Sequence, residues 1–242
     1  MARVARVPLS GLVAGERELD SKTAHYLRDV LRLRSGDAFL AFDADAQLEA
    51  DATLSDDTAR CALAEPRAAR RIASSGIVLV QALGKGDKTE QVARSATALG
   101  VAELHLVETA RSVARAGERT ESKRARLESI ALDAARQSLR GDVPLIVGPH
   151  ALERELDSWL ERPALKLCLV PGAPQSLRSL TSEWAHGSPI ALLVGPEGGF
   201  SDDELARAER AGFVRARLGE LVLRTEIAGI AALGALSCLG DP

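Results

Sequence analysis

From Ile77 to Leu239 the sequence alternates short apolar runs with helix-like segments. That alternation restricts the fold more than any other feature of the chain. Ile77–Leu83 is a continuous apolar strand, and Lys88–Leu99 is helical, with Val92, Ala96 and Leu99 on one stripe and Gly100 as its stop. Glu103–Val107 reads as a strand. Glu121–Leu139 reads as a helix with Leu127, Ile130, Ala131, Ala134 and Ala135 at the helical period. A shorter helix covers Leu152–Leu160, and Lys166–Val170 and Pro189–Val194 are buried strands. Ser201–Ala211 is a helix with a Ser201/Glu204 capping box and Gly212 at its end. Val214–Leu218 is a strand. Thr225–Leu239 is a helix apolar nearly all round, which predicts burial. Strands that alternate with helices and read as continuous apolar runs imply a mostly parallel sheet covered on both faces, an α/β fold.

The first 72 residues have a different texture. Ala38–Phe42 and Gln47–Thr53 flank Asp43-Ala44-Asp45-Ala46 as in a hairpin, and Gly36-Asp37 marks a turn. Thr23–Leu33 is predicted to be a helix, with Leu27, Val30 and Leu31 on one face. Glu65–Ser75 reads as a linker. The expectation is two domains, 1–72 and 73–242, in a chain of 242 residues.

Three strand-end loops carry the candidate chemistry. Gly195-Pro196-Glu197-Gly198-Gly199 follows an apolar strand and precedes a helix N-terminus. Its glycines permit close backbone approach, and the free N–H groups suit a carboxylate, phosphate or ribose. A plain strand-to-helix turn is the competing reading. The loop is neither a dinucleotide fingerprint nor a P-loop, because the required Gly-x-Gly-x-x-Gly and Gly-Lys-Ser/Thr patterns are missing. Leu218–Glu226 offers apolar backbone at Leu221–Leu223, Arg224 at a mouth and Thr225 as N-cap of the last helix. An ion pair of Arg224 with Glu220 or Glu226 is the structural alternative. The third loop is Leu169-Val170-Pro171-Gly172-Ala173. Loops at the carboxyl ends of a parallel sheet are where open α/β folds bind small molecules.

Charge and cysteines narrow the class. The formal net charge of −3 carries no global nucleic-acid signature, yet Arg111–Arg126 holds six basic residues against Glu118 and Glu121. Arg67, Arg70 and Arg71 form a second patch. A solvated face is the ordinary explanation of either run. Cys61, Cys168 and Cys238 are far apart and read as reduced core thiols. His25, His105, His150 and His186 have no ligand spacing, so no metal is expected. The N-terminus lacks the apolar core of a signal peptide and no run is long enough to span a membrane, so a cytoplasmic protein is expected.

GPEGGFSDDEL, then LG…LVLRTEIA, with upstream ALGKGDKTEQVARSATALGVAELHLVETARSVAR, resembles the ribosomal RNA small-subunit methyltransferase E family. Its members are SPOUT-superfamily enzymes that methylate N3 of one uridine in 16S rRNA. HYLRDVLRLRSGD looks like the family's PUA-like RNA-binding domain. The resemblance covers nearly the whole chain in order. It implies a SPOUT-type α/β domain with a deep trefoil knot at 73–242, preceded by a small PUA-like β-barrel domain at 1–72, assembled as a homodimer on 16S rRNA of the small subunit. The implied cofactor is S-adenosylmethionine, held by Val170, Pro171, Gly172, Val194, Gly195, Pro196, Glu197, Gly198, Gly199, Leu218, Gly219, Leu221, Val222, Leu223, Thr225 and Ala228. The chain departs from the family pattern at Glu220-Leu221, at Ile227 and at Arg136, while Arg224-Thr225-Glu226 is intact.

On that resemblance, Arg224 is the candidate for stabilising charge on the uracil oxygens, with Glu226, and after it Glu197, as proton acceptor. RNA contacts are expected from Arg3, Arg6, His25, Arg28, Arg32, Arg34, Arg111, Arg115, Lys123 and Arg124. His25 reads equally as a capping or core histidine. Phosphate and shape contacts should dominate, since aromatics are scarce. The alternatives are a SPOUT methyltransferase acting on another rRNA or tRNA nucleotide, and a catalytically inactive ribosome assembly factor.

Overall fold

The computed structural model describes residues 4–55, 59–69, 76–112, 120–185 and 187–239. The chain divides into two compact units. One is Met1–Ile72 with Ala135–Val143, and the other is Ala73–Ala134 with Pro144–Pro242.

The first unit is a six-stranded, mostly antiparallel sheet. Its strands are β1 (Arg6–Pro8), β2 (Gly15–Glu18), β3 (Ala38–Asp43), β4 (Leu48–Leu54), β5 (Arg60–Leu63) and β6 (Arg67–Ala68). They run in the order β1-β3-β4-β5-β2, with β6 paired to β4. Alternating burial along β4 and β5 turns Ala52, Leu54, Cys61 and Leu63 toward Val7, Leu27, Phe39 and Ala41. The hairpin expected around residues 43–46 is present, with Asp43 Oδ1 accepting from the Asp45 and Ala46 amides. β6 falls inside the segment read as linker, of which residues 70–75 lie outside the described part.

The predicted Thr23–Leu33 helix is corrected. Helix α1 spans Ser21–His25, capped by Asp20, and passes into a π-helical turn at Tyr26–Val30. The wider winding moves Val30 off the buried face that Leu27 occupies, leaving it 58% exposed. The return of Ala135–Val143 to this unit is also new to the sequence reading. Arg6 Nη1 donates to the Arg140 carbonyl at 2.9 Å, and Arg136 stacks on the Tyr26 ring at 4.3 Å.

The second unit is an all-parallel six-stranded sheet between helices. In chain order it contains β7 (Ile77–Ala82), α2 (Lys88–Ala98), β8 (Glu103–Glu108), α3 (Thr120–Gln137), β9 (Leu145–Ala151) and α4 (Leu152–Trp159). There follow β10 (Leu165–Leu169), α5 (Leu177–Leu180), β11 (Ile190–Val194), α6 (Asp202–Arg210), β12 (Val214–Ala216) and α7 (Thr225–Leu239). The end of α3 falls in the first unit. Every residue of β7 and of β11 is buried, as central parallel strands covered on both faces require. Full burial of each such Leu, Ile or Val contributes about 1.5–3 kcal/mol.

The sheet order is β12-β10-β11-β7-β8-β9, so β11 lies between two strands that precede it in the chain. That insertion brings the ends of β10, β11 and β12 side by side. Ser201 and Glu204 form the expected capping box on α6, and Gly212 (φ +87°) follows its end. β9 was missed because Gly148-Pro149 reads as a turn.

Helix α7 has the predicted bounds but not the predicted burial. Thr225, Gly229, Ala232, Leu233 and Leu236 are buried, whereas Ile227 (47%), Leu239 (57%) and Cys238 are exposed. The apolar composition therefore covers two faces, of which the single chain buries one. Cys238 is accordingly not a core thiol, unlike Cys61 and Cys168. Gly229 lets α7 lie close on β7, since a Cβ there would stand 3.0 Å from Leu79 Cδ1.

A buried polar cluster joins β8, β9 and α4. His105 Nδ1 is 2.6 Å from Glu155 Oε1, and its Nε2 is 2.7 Å from Glu103 Oε2. His150 Nε2 and the Trp159 indole N–H complete the Glu155 shell at 2.6 and 2.7 Å. Two carboxylates facing both ring nitrogens require a doubly protonated imidazolium. Burial alone lowers the His105 pKa, but hydrogen bonds and charge from Glu155 and Glu103 reverse this and hold it above the usual value. Burial likewise pushes Glu155 up, and its His105, Trp159 and His150 partners bring it down to about 2.

Candidate active site

The ends of β10, β11 and β12 surround a cavity of about 500 Å³, ample for a small-molecule ligand. Val170-Pro171, Val194–Phe200, Leu218-Gly219, Leu221–Thr225 and Ala228 line it. Of the residues expected to hold a cofactor, only Gly172 is not on the wall. It sits in the turn after β10 with φ +74°. Leu169, Leu205 and Ala216 complete the lining.

Local chemistry shapes each loop. A Cβ on Gly195 would stand 3.0 Å from the Phe200 ring, so any side chain there would press on Phe200. The Thr225 hydroxyl donates to the Gly195 carbonyl and accepts from Gln81 Nε2 at 3.0 Å, tying the loop to α7 and β7. Glu204 Oε2 accepts from the Ser201 amide at 2.8 Å, and its Oε1 accepts from the Ala110 amide at 2.7 Å. Arg217 Nη1 donates to the Ala173 carbonyl at 2.9 Å, linking the start of the Leu218–Glu226 loop to the Leu169–Ala173 loop.

Lys88 is the residue that sequence reasoning missed. Its Nζ lies 2.7 Å from Glu197 Oε1, and 3.4 Å from Glu226 Oε2 in an ion-pair contact without hydrogen-bond geometry. The hydrogen bond from Lys88 holds the Glu197 carboxyl below its usual pKa, and Glu197 in turn raises that of Lys88. A carboxylate stabilised this way is a weaker base than a free one. It stands in the upstream segment that carries the family resemblance and at the start of α2, neither of which reveals a partner 109 residues away.

Arg224 is exposed at the cavity wall and makes no side-chain hydrogen bond or ion pair among the described residues. The structural ion pair considered for it is not formed. Glu220 lies 3.6 Å from Arg217 instead, and Glu226 faces Lys88.

The expected RNA contacts are scattered in role. Arg3 and Arg115 lie outside the described residues. Arg6 is 6% exposed, packs on the Phe42 ring at 4.5 Å and faces Glu49 at 3.5 Å. Burial lowers its pKa, partly offset by Glu49. In this conformation it holds the fold and cannot meet a phosphate. Arg111 is also engaged, since Nη1 donates to the Gly198 and Phe200 carbonyls at 3.0 and 3.3 Å. It latches the glycine loop. His25 and Arg28 pair with Asp29 at 2.6 and 3.0 Å on the surface. Arg32 and Arg34 are exposed, as are Lys123 and Arg124, the last paired with Glu128 at 3.3 Å. Among the described residues no group of three or more His, Cys, Asp or Glu side chains is placed to hold a metal ion, and no helix is long and apolar enough to cross a membrane.

A profile of the RNA methyltransferase domain matches residues 72–237. The chain belongs to the RNA methyltransferase family. Within it, the chain is 28% identical to the ribosomal RNA small subunit methyltransferase E of Bacillus subtilis over 232 residues, covering 90% of this chain and 88% of that one. The Mycobacterium bovis protein of the same name is 34% identical over 168 residues, 67% of this chain and 63% of that one. A Legionella pneumophila methyltransferase structure with SAM bound superposes with a TM-score of 0.87 at 29% identity, covering 99% of each chain. The Neisseria gonorrhoeae ribosomal RNA small subunit methyltransferase E, bound to S-adenosyl methionine, gives the same TM-score at 26% identity and 98% coverage of both. This RNA methyltransferase thus shares its α/β fold, across its whole length, with two structures that hold the cofactor.

Proposed function

We propose that this methyltransferase uses S-adenosylmethionine to methylate N3 of one uridine in 16S rRNA of the small ribosomal subunit. The observation that carries the reading is the three-loop cavity at the strand ends. Its volume, its apolar wall at Leu221–Leu223 and its glycine backbone at 195–199 fit a nucleoside cofactor. S-adenosylmethionine, when bound, supplies the electrophilic methyl group.

The remaining chemistry belongs to the chain. Uracil N3 carries a proton at neutral pH, and its loss puts negative charge on the flanking oxygens. Arg224, at the cavity wall and without an ion pair among the described residues, is disposed to stabilise that charge. Glu226 is the better proton acceptor of the two carboxylates, because Lys88 hydrogen-bonds Glu197 and only flanks Glu226. Arg217 and Arg111 hold the loops, and Lys88 ties Glu197 to α2. The domain at 1–72 would act as a PUA-like RNA-binding module through Arg28, Arg32 and Arg34, joined by Lys123 and Arg124. A homodimer accounts for the exposed apolar residues Leu221, Val222, Ile227 and Leu239. The trefoil knot implied by the resemblance is consistent with the late strand β11 lying between β10 and β7. A cytoplasmic enzyme acting on the ribosome completes the reading.

Calorimetric titration of the purified protein with S-adenosylmethionine tests the reading. Binding is expected for the native chain, with loss on Gly195→Val, whose side chain would displace Phe200. No binding by the native chain would contradict it.

A further inference from the structure

We propose that a second cavity, of about 270 Å³, is a subsite for a single RNA nucleotide flanking the methylated one. The inference rests on the rRNA methyltransferase reading above and adds a specificity determinant to it. The cavity opens between the loop after β7, the first turn of α2, and α3. Leu83, Leu106 and Leu127, all at most 5% exposed, give it an apolar floor. Lys123 and Arg126 line it from α3, with Arg126 paired to Glu90 at 2.6 Å.

Three observations select the occupant. The volume is just below the roughly 300 Å³ at which drug-sized pockets begin, which suits one nucleotide rather than a cofactor. An apolar floor beside Lys123 and the Arg126–Glu90 pair matches a base with its phosphate, and sequence-specific RNA recognition mostly targets unstacked single-stranded bases. The cavity is also the methyl-transfer site's neighbour. A small intervening space is lined by Gln81, Gly84, Lys88, Thr89, Thr225 and Glu226. It shares Gly84 and Thr89 with this cavity, and Thr225 with the cofactor cavity. Lys88 and Glu226 stand in that partition, so a base held here is not the one being methylated. It is a neighbour on the same strand, splayed into its own slot. The Arg126–Glu90 pair would open as a phosphate arrives.

Two readouts test this with the full-length protein. The first is steady-state methyl transfer to 16S rRNA by Leu127→Phe and Thr89→Leu, which fill the cavity from two elements, with cofactor affinity and thermal melting as fold controls. The expected result is a KM for RNA raised about tenfold, with cofactor affinity changed by less than about twofold. The second is photocrosslinking of 16S rRNA fragments carrying 4-thiouridine beside the target. Crosslinks are expected in the peptides holding Leu83–Glu90 or Lys123–Leu127. This readout separates the slot from a general basic surface and survives a filling variant that fails to fold. An unchanged KM in folded variants, or crosslinks confined to other peptides, with a wild-type enzyme that methylates rRNA, overturns the inference and leaves the reading intact. A wild-type protein that transfers no methyl group to rRNA overturns both.

Discussion

The Lys88 ammonium sits 2.7 Å from the Glu197 carboxylate, joining the first residue of α2 to the glycine loop after β11. Both partners are partly solvent-exposed, so the contact positions the loop more than it stabilises the fold. Lys88→Ala is expected to weaken S-adenosylmethionine binding by roughly two- to fivefold while leaving thermal stability nearly unchanged. Hydrogen exchange of the 195–200 peptide should rise in parallel. Unchanged exchange and affinity would show that the loop holds its shape without Lys88.

Arg224 should behave differently. It makes no side-chain hydrogen bond or ion pair among the described residues, so removing it breaks no polar contact that holds the fold. Arg224→Ala is expected to lower kcat by about 10²–10³, the effect of deleting one charge-stabilising group, with cofactor affinity held. Single-turnover methyl transfer to rRNA measures this. A wild-type rate would remove Arg224 from the chemistry.

Arg111 separates two roles that the sequence could not. If it latches the loop through the Gly198 and Phe200 carbonyls, Arg111→Ala weakens cofactor binding in the absence of RNA. If it instead contacts phosphate, the same variant lowers RNA affinity and flattens the salt dependence by about one ion. The geometry predicts the first result, read by calorimetry with and without RNA.

What the sequence disclosed follows from how local each signal is. The α6 capping box, the start of α7 at Thr225 and the three loops depend on neighbouring residues, and each is written in a short window. The position of β11 between β10 and β7 depends on non-local pairing that no periodicity encodes. Lys88 was missed and Arg6 misassigned for the same reason. A basic residue looks alike in sequence whether it ends beside a carboxylate 109 residues away, on Phe42, or in water. Helix α7 shows the limit of composition, since an apolar helix is equally compatible with a core and with an open face.

The His105 cluster makes stability depend on pH at both ends. A histidine whose pKa rises on folding stabilises the fold below its unfolded value of about 6.5, and that contribution is lost as pH rises through the folded value. Glu155, at about 2 in the fold against its usual 4.5, stabilises above 4.5 and loses this as pH falls toward 2. Urea unfolding should therefore show greatest stability from this cluster between roughly pH 4.5 and 6.5. His105→Gln, which strands a buried carboxylate, should cost about 3 kcal/mol in that window and progressively less at higher pH. A pH-independent difference between variant and wild type would mean that His105 is neutral in the fold.

The proposed activity is methylation of N3 of a single uridine in small-subunit rRNA. The direct test incubates the protein and labelled S-adenosylmethionine with 30S subunits and with free 16S rRNA from cells lacking the modification, followed by nucleoside mass spectrometry. N3-methyluridine at one position is expected. A different methylated nucleoside, or no transfer by a protein that binds the cofactor, would contradict it.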